Sequence, residues 1–294
     1  MSPTTPSLRL PPSTFGAMAG PHEQTIDARW LMAYAAALGE TDARYFDTVS
    51  ALGPAAHPLF PVCYEWPVAV ELRDRAIGEA LAPLSVHATH DVVIHRPPRA
   101  GDRLRTTAHI VEVRPIKAGS LVVGRYETVD AAGAPVTTTQ YGSIYRGVAC
   151  DPAGEISAEN SRTAPAQPGR DNLSIPPIWT THIAVSPQLA HVYTECARIW
   201  NPIHTDVAVA RAAGLPGLIL HGTATLALAV SVVIARELGG DPTGVRGLSA
   251  RFTGMVRMPS VVTVRGYESG TGDFHFDVVD DAGRPVLGRG VVTR

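Results

Sequence analysis

Apolar positions along this chain fall into two kinds of run, and both kinds recur in the same order in each half. Residues 25–41, "TIDARWLMAYAAALGET", and 186–200, "SPQLAHVYTECARIW", space their apolar residues as a helix with one buried stripe does. Residues 62–78, "VCYEWPVAVELRDRAIG", and 223–238, "TATLALAVSVVIAREL", each predict a second helix after the first. Between Ala224 and Ala235 the latter is apolar around its whole circumference, so other structure must wrap it on every side. Strand-like sequence follows in both halves. "VDAAGAPV" at Val129 to Val136 returns 150 residues later as "VDDAGRPV" at Val279 to Val286, and each copy sets Asp and Gly at a tight turn between β-rich runs. Both copies read as hairpins. Upstream, "HDVVIHRPPRAGDRLRTTAHIVEV" and "SARFTGMVRMPSVVTVRGYES" read as further paired strands around proline-containing turns.

Helices followed by strands, twice over, predict an α+β pseudo-dimer. The polar stretch "CDPAGEISAENSRTAPAQPGRDN" is rich in Pro, Gly and Ser and reads as the connector. The expected organisation is a flexible N-terminal arm over 1–20, a first unit over 21–150, a linker over 151–172 and a second unit over 173–294.

Composition narrows the function. The formal net charge is -2, with no basic stripe to neutralise phosphates, so neither nucleic acid nor an anionic membrane is an expected partner. Three widely spaced cysteines fit neither a disulfide framework nor a zinc pattern, and a reducing cytoplasm is the expected location. Lys117 is the single lysine, which leaves little for Schiff-base chemistry. The proline-rich start, "MSPTTPSLRLPPSTFGAMAG", lacks the pattern of a secretory signal. Leu215 to Ala235 is long and apolar, yet His221, Gly222, Thr223, Thr225 and Ser231 interrupt it as a membrane span. No metal is expected, because the histidines form no paired ligand spacing, and no Gly-rich nucleotide loop occurs.

Chemistry concentrates in "ARIWNPIHTDVAVARAAGLPGLILHGTATLALAV", Ala197 to Val230, where two histidines flank a Pro/Gly turn ahead of the apolar helix. "NPIHTD", then "AGLPGLILHG" and that helix, resemble the signature of the MaoC-like dehydratases, the (R)-specific enoyl-CoA hydratase family. "HRPPRAGDRL" and "RFTGMVRMP" resemble the strand that closes that family's fold, so the resemblance covers nearly the whole chain beyond the arm. It implies a double hotdog: two antiparallel sheets, each wrapped around a long central helix. It also implies that one half alone keeps the active-site segment, since "ALGETDARYFDT" stands where the second half has "ARIWNPIHTD" and offers no Asn-Pro-x-His. The activity implied is that of a hydro-lyase, a hydratase or dehydratase, acting on a 2-enoyl or 3-hydroxyacyl thioester. No cofactor is expected, CoA entering only as part of the substrate. A homodimer of double hotdogs is the expected assembly.

Hydration of an enoyl thioester needs a base for water, an acid for the α-carbon and donors for the enolate-like oxygen. His204 fits the base, Pro202 fixes the turn that aims it, and Asn201 can orient water with a donor and an acceptor on one short side chain. Gly222 opens the apolar helix, where free backbone N–H groups and the helix dipole favour an oxyanion. His221 and Thr223 flank it and, with Ile199 and Pro202, are expected to line the substrate pocket. One departure from the family stands out: the aspartate expected two residues before the motif's asparagine is Ile199 here. Glu195, one helical turn earlier, is the expected substitute acid, while Asp206 is better placed as the cap of the next helix. A diverged reaction, a non-catalytic acyl-thioester-binding hotdog and a thioesterase-like protein are the alternatives.

Overall fold

The computed structural model describes residues 8–151, 153, 176–268 and 272–294. The first half runs β1 (Met18–Thr25), α1 (Ala28–Ala37), α2 (Pro61–Ala76), β2 (Ser85–Ile94), β3 (Arg103–Ile116), β4 (Gly119–Val129) and β5 (Pro135–Arg146). The second repeats that order as β6 (Trp179–Val185), α3 (Leu189–Ala197), a short α4 (Val207–Ala212), α5 (Gly222–Glu237), β7 (Gly247–Phe252), β8 (Ser260–Tyr267), β9 (Phe274–Val279) and β10 (Pro285–Thr293). Local chemistry starts the helices where expected. The Asp27 carboxylate accepts the Trp30 N–H at 2.7 Å to open α1, Pro61 begins α2 at a position that needs no N–H donor, and Asp206 caps α4.

The strands form one antiparallel sheet in the order β1-β3-β4-β5-β2-β7-β10-β9-β8-β6, so each half contributes five strands in mirrored sequence. The two sheets of the double hotdog are thus joined edge to edge, Thr89 to Val93 of β2 lying opposite Arg251 to Gly247 of β7. That join leaves neither central edge open to a foreign strand. Both repeat turns are built alike: the Asp130 side chain accepts from Ala132 and Ala134 N–H, and Asp280 does the same for Ala282 and Arg284. Gly133 and Gly283 complete these turns at φ +83° and +74°, the left-handed region glycine reaches without penalty. The buried core is continuous between halves. α5 carries nine buried residues, including Leu226, Val230, Val233 and Ile234. Corresponding helices of the two halves meet where the Tyr34 and Tyr193 hydroxyls come within 3.3 Å.

Three expectations change. The arm assigned to 1–20 is built in from Leu8 onward: Leu10 is buried and bonds the Ala149 carbonyl, the Thr14 hydroxyl reaches the Ala76 carbonyl at 2.9 Å, and Met18 begins the edge strand. Apolar Leu10 and Ala19 are buried against the far side of α2 and the sheet, which is what removes the segment's freedom. Next, "HDVVIHRPPRAGDRLRTTAHIVEV" and "SARFTGMVRMPSVVTVRGYES" are not hairpins, because β2 pairs with β5 and β7 while β3 pairs with β1 and β4, and β7 and β8 are likewise apart. Pro97 and Pro98 lack ladder donors, and Arg96 holds the crossover by reaching both Asp102 at 2.7 Å and Asp130 at 3.1 Å. Finally, each half begins with a strand, β1 or β6, ahead of its first helix. Most of the expected linker, with residues 1–7, lies outside the described residues. No described helix is long and apolar enough to cross a membrane.

Candidate active site

His204 sits on a single 3-10 turn, Pro202–His204, between α3 and α4. Asn201 begins that turn with extended backbone and its side-chain oxygen facing the Ile203 N–H at 3.5 Å, while Pro202 supplies the fixed φ of the first turn position. The imidazole is oriented from behind. His204 Nδ1 is 2.9 Å from the Ile219 carbonyl oxygen, so it is the protonated nitrogen and donates, which leaves the Nε2 lone pair unshared. The Leu220 N–H holds that carbonyl's strand by bonding Val256 at 2.8 Å. His221 stacks on the His204 ring at 3.7 Å between centroids, and His221 Nε2 is 3.2 Å from the Thr194 hydroxyl.

Burial dominates the electrostatics. Desolvation pulls His204 down to about 4, against a smaller upward pull from the Ile219 carbonyl, so the ring is neutral at physiological pH. His221 is driven well below the usual imidazole range by burial and then by the neighbouring His204. Gly222 is the first residue of α5, directly after His221, and no side chain caps that terminus. The opening N–H groups of such a helix have no partner within it and carry its positive end. A side chain at Gly222 would meet the Phe252 ring at 3.0 Å, so glycine keeps this terminus open to a ligand. The neighbouring Thr223 hydroxyl accepts from Tyr193 at 3.1 Å.

These groups face a cavity of about 620 Å³. Ile199, Asn201, Pro202, His204, His221, Gly222 and Thr223 all line it, which brings together seven of the eight residues read from the sequence. Glu195 is not among them. Its side chain is exposed, because α3 ends at Ala197 and Arg198 turns the chain through the left-handed region at φ 59°, so the helical register relating residues 195 and 199 is lost. Ile199 is buried at the cavity wall and carries no titratable group. Asp206 is occupied in capping α4 through Ala208 and Val209.

The other half of the wall comes from α2 and strands β2 to β5, and it carries polar groups the local motif did not indicate: Glu65, His87, His90 and Tyr141. Glu65 is the one carboxylate lining the cavity among the described residues. Its sequence signal was a lone acid in the apolar run "VCYEWPVAV", on the inner face of α2. The arrangement as a whole offers a neutral imidazole with one free lone pair and an uncapped helix N-terminus beside it, in a cavity of small-molecule size.

Residues 167–284 match the MaoC like domain, and residues 13–139 match the FAS1-like, dehydratase domain region. The enoyl-CoA hydratase ChsH3 of Mycobacterium tuberculosis is 26% identical over 185 residues, which span 63% of this chain and 61% of that protein's own length. Among solved structures, a MaoC-like dehydratase from Phytophthora capsici superimposes with a TM-score of 0.79 at 22% identity, covering 94% of this chain and 95% of that one. A Mycobacterium tuberculosis protein described as a double hotdog superimposes at 0.58 with 16% identity, covering 95% of each chain. At these identities the structural likeness establishes the fold.

Proposed function

From a double hotdog whose C-terminal half is a MaoC-like domain and whose N-terminal half is a FAS1-like dehydratase region, we propose a hydro-lyase that adds water to a 2-enoyl thioester or removes it from a 3-hydroxyacyl thioester. The observation that carries this reading is the His204 tautomer: Nδ1–H is committed to the Ile219 carbonyl, so the basic Nε2 is available beside the α5 N-terminus. His204 is the base, and the Gly222 N–H holds the thioester oxygen as it gains charge. No cofactor enters the proposal, and CoA belongs to the substrate.

With Ile199 where the family carries aspartate and Glu195 outside the cavity, one imidazole serves both proton transfers. Nε2 takes a proton from water as the oxygen bonds the β-carbon, and the π electrons move onto the thioester oxygen. The enolate then takes that same proton from Nε2 onto the α-carbon, restoring neutral imidazole and the carbonyl. Both new bonds form on the face that His204 occupies, so addition is syn. Burial makes the imidazolium short-lived, which favours return of the proton over its loss to solvent.

Ile199 also favours a second reading, a hotdog that binds acyl thioesters without turnover. Absorbance at the enoyl-thioester band separates the two. With crotonyl-CoA and a longer trans-2-enoyl-CoA, the wild-type protein is expected to bleach the band, and His204→Ala to lose roughly 10² to 10⁴ in rate with its circular dichroism unchanged. A wild type that binds both thioesters but consumes neither establishes the binding protein instead.

A further inference from the structure

The wall that the N-terminal half gives the cavity carries buried polar groups among its apolar side chains. His90 lies on β2, where alternation turns His90, Val92 and Ile94 to the inner face and a bulge between His87 and Thr89 brings His87 to the same side. His90 is 1% exposed and lines the cavity, yet neither ring nitrogen has a hydrogen-bonding partner. Its cross-strand neighbour is Tyr141, and the rings of His87 and Tyr141 close around it at 5.3 and 6.0 Å. Across from this face, α2 presents Glu65, 4% exposed, whose carboxyl accepts the Thr139 hydroxyl at 2.7 Å. Thr139 stands opposite Val92, two residues along β2 from His90, so acid and imidazole belong to one patch. An unsatisfied polar group buried in an apolar setting is destabilising, and a buried carboxyl without an ion-pair partner more so. Aliphatic residues would fill these positions more stably if the ligand here were only CH₂ groups.

Phe252 connects this patch to the His204 centre. Its ring covers Gly222 on one side and lies 4.2 Å from the His87 ring on the other. Phe252 thus sets Gly222 and the His87–His90 pair on neighbouring parts of one cavity wall.

We propose that Glu65 and His90 recognise an oxygen substituent, a hydroxyl or a ketone, on the acyl chain, so that the substrate is an oxygenated acyl thioester and not a plain hydrocarbon one. The assignment rests on reading the cavity as an acyl-thioester site. His90 offers an N–H donor and a lone pair to such a group, and Glu65 a second acid or acceptor.

Saturated thioesters test this apart from catalysis, because they cannot be hydrated. Calorimetric titration with hexanoyl- to dodecanoyl-CoA, each compared with its terminally hydroxylated and terminally oxidised (oxo) counterpart, reads the preference directly. At one chain length the oxygenated ligand is expected to bind at least about tenfold more tightly than its parent, a difference of about 1.4 kcal/mol. In His90→Leu and in the milder His90→Asn, each with the circular dichroism of wild type, the preference is expected to shrink to about twofold or less for Leu and partly for Asn. Whichever of hydroxyl and oxo ligands shows the gain identifies the substituent. Equal or tighter binding of the parent at every length overturns the proposal, as does a preference that survives His90→Leu. A wild type that prefers oxygenated ligands yet hydrates no enoyl thioester upholds this assignment and overturns the hydro-lyase; one that hydrates enoyl thioesters without preference does the reverse.

Discussion

At the residue, the account turns on one imidazole held by its back. The Ile219 carbonyl fixes the His204 tautomer and burial lowers its affinity for a proton to about 4. A free histidine is half protonated near pH 6.5, about two and a half units higher. The pH profile of kcat/KM is therefore expected to stay level through mildly acid conditions and to fall with an apparent pKa near 4, the free-enzyme value of the base. An acidic limb at the ordinary imidazole value would place the working base in a more solvated group. The positions of Asn201, His204 and Gly222 were legible in one short stretch because a turn and a helix start place them together locally. Glu195 misled for an equally local reason: extending the helix to residue 199 ignores Arg198, a non-glycine residue in the left-handed region that ends it. Glu65 and His90 reach the cavity only through tertiary packing, so no spacing along the chain signals them.

At the element, α2 carries a pH-dependent stability consequence. Burial raises Glu65 from 4.5 to about 7, with the Thr139 and Thr137 hydroxyls opposing the shift. Below pH 4.5 the acid is protonated whether the chain is folded or not, and its full contribution is present. Between 4.5 and 7 the unfolded chain sheds the proton first, so stability falls as pH rises; above 7 both states are ionised and the loss levels off. The gap corresponds to about 3 kcal/mol. Glu65→Gln is expected to gain about that much on wild type between the acid and alkaline ends of this window, measured by urea unfolding at each pH. A difference independent of pH would mean that the carboxyl is solvated in the folded protein. The helices and the strands that follow them were legible because each run is periodic, though the opening strands β1 and β6 were not, and the two Asp-Gly turns because the same turn sequence recurs 150 residues apart. Which strands pair was not. The crossovers at 95–102 and 253–259 look like turns in sequence, and pairing there is decided by the join between β2 and β7.

At the scale of the molecule, the two halves divide the labour over one cavity. The second supplies the imidazole and the uncapped helix end, the first supplies α2 and the inner faces of β2 to β5, and the continuous sheet holds the two sets in fixed relation. The first half has no Asn-Pro-x-His, and its α2 and strands form their side of the cavity wall. In the proposed reaction this geometry directs both proton transfers to one face, since His204 presents a free, oriented lone pair beside the α5 N-terminus. Hydration of crotonyl-CoA in D₂O, read by proton NMR of the 3-hydroxybutyryl product, tests this most directly. The account predicts a single diastereomer with hydroxyl and deuterium added syn, and no product from His204→Ala. An anti adduct, a mixture of the two, or no addition by the wild-type protein would contradict it.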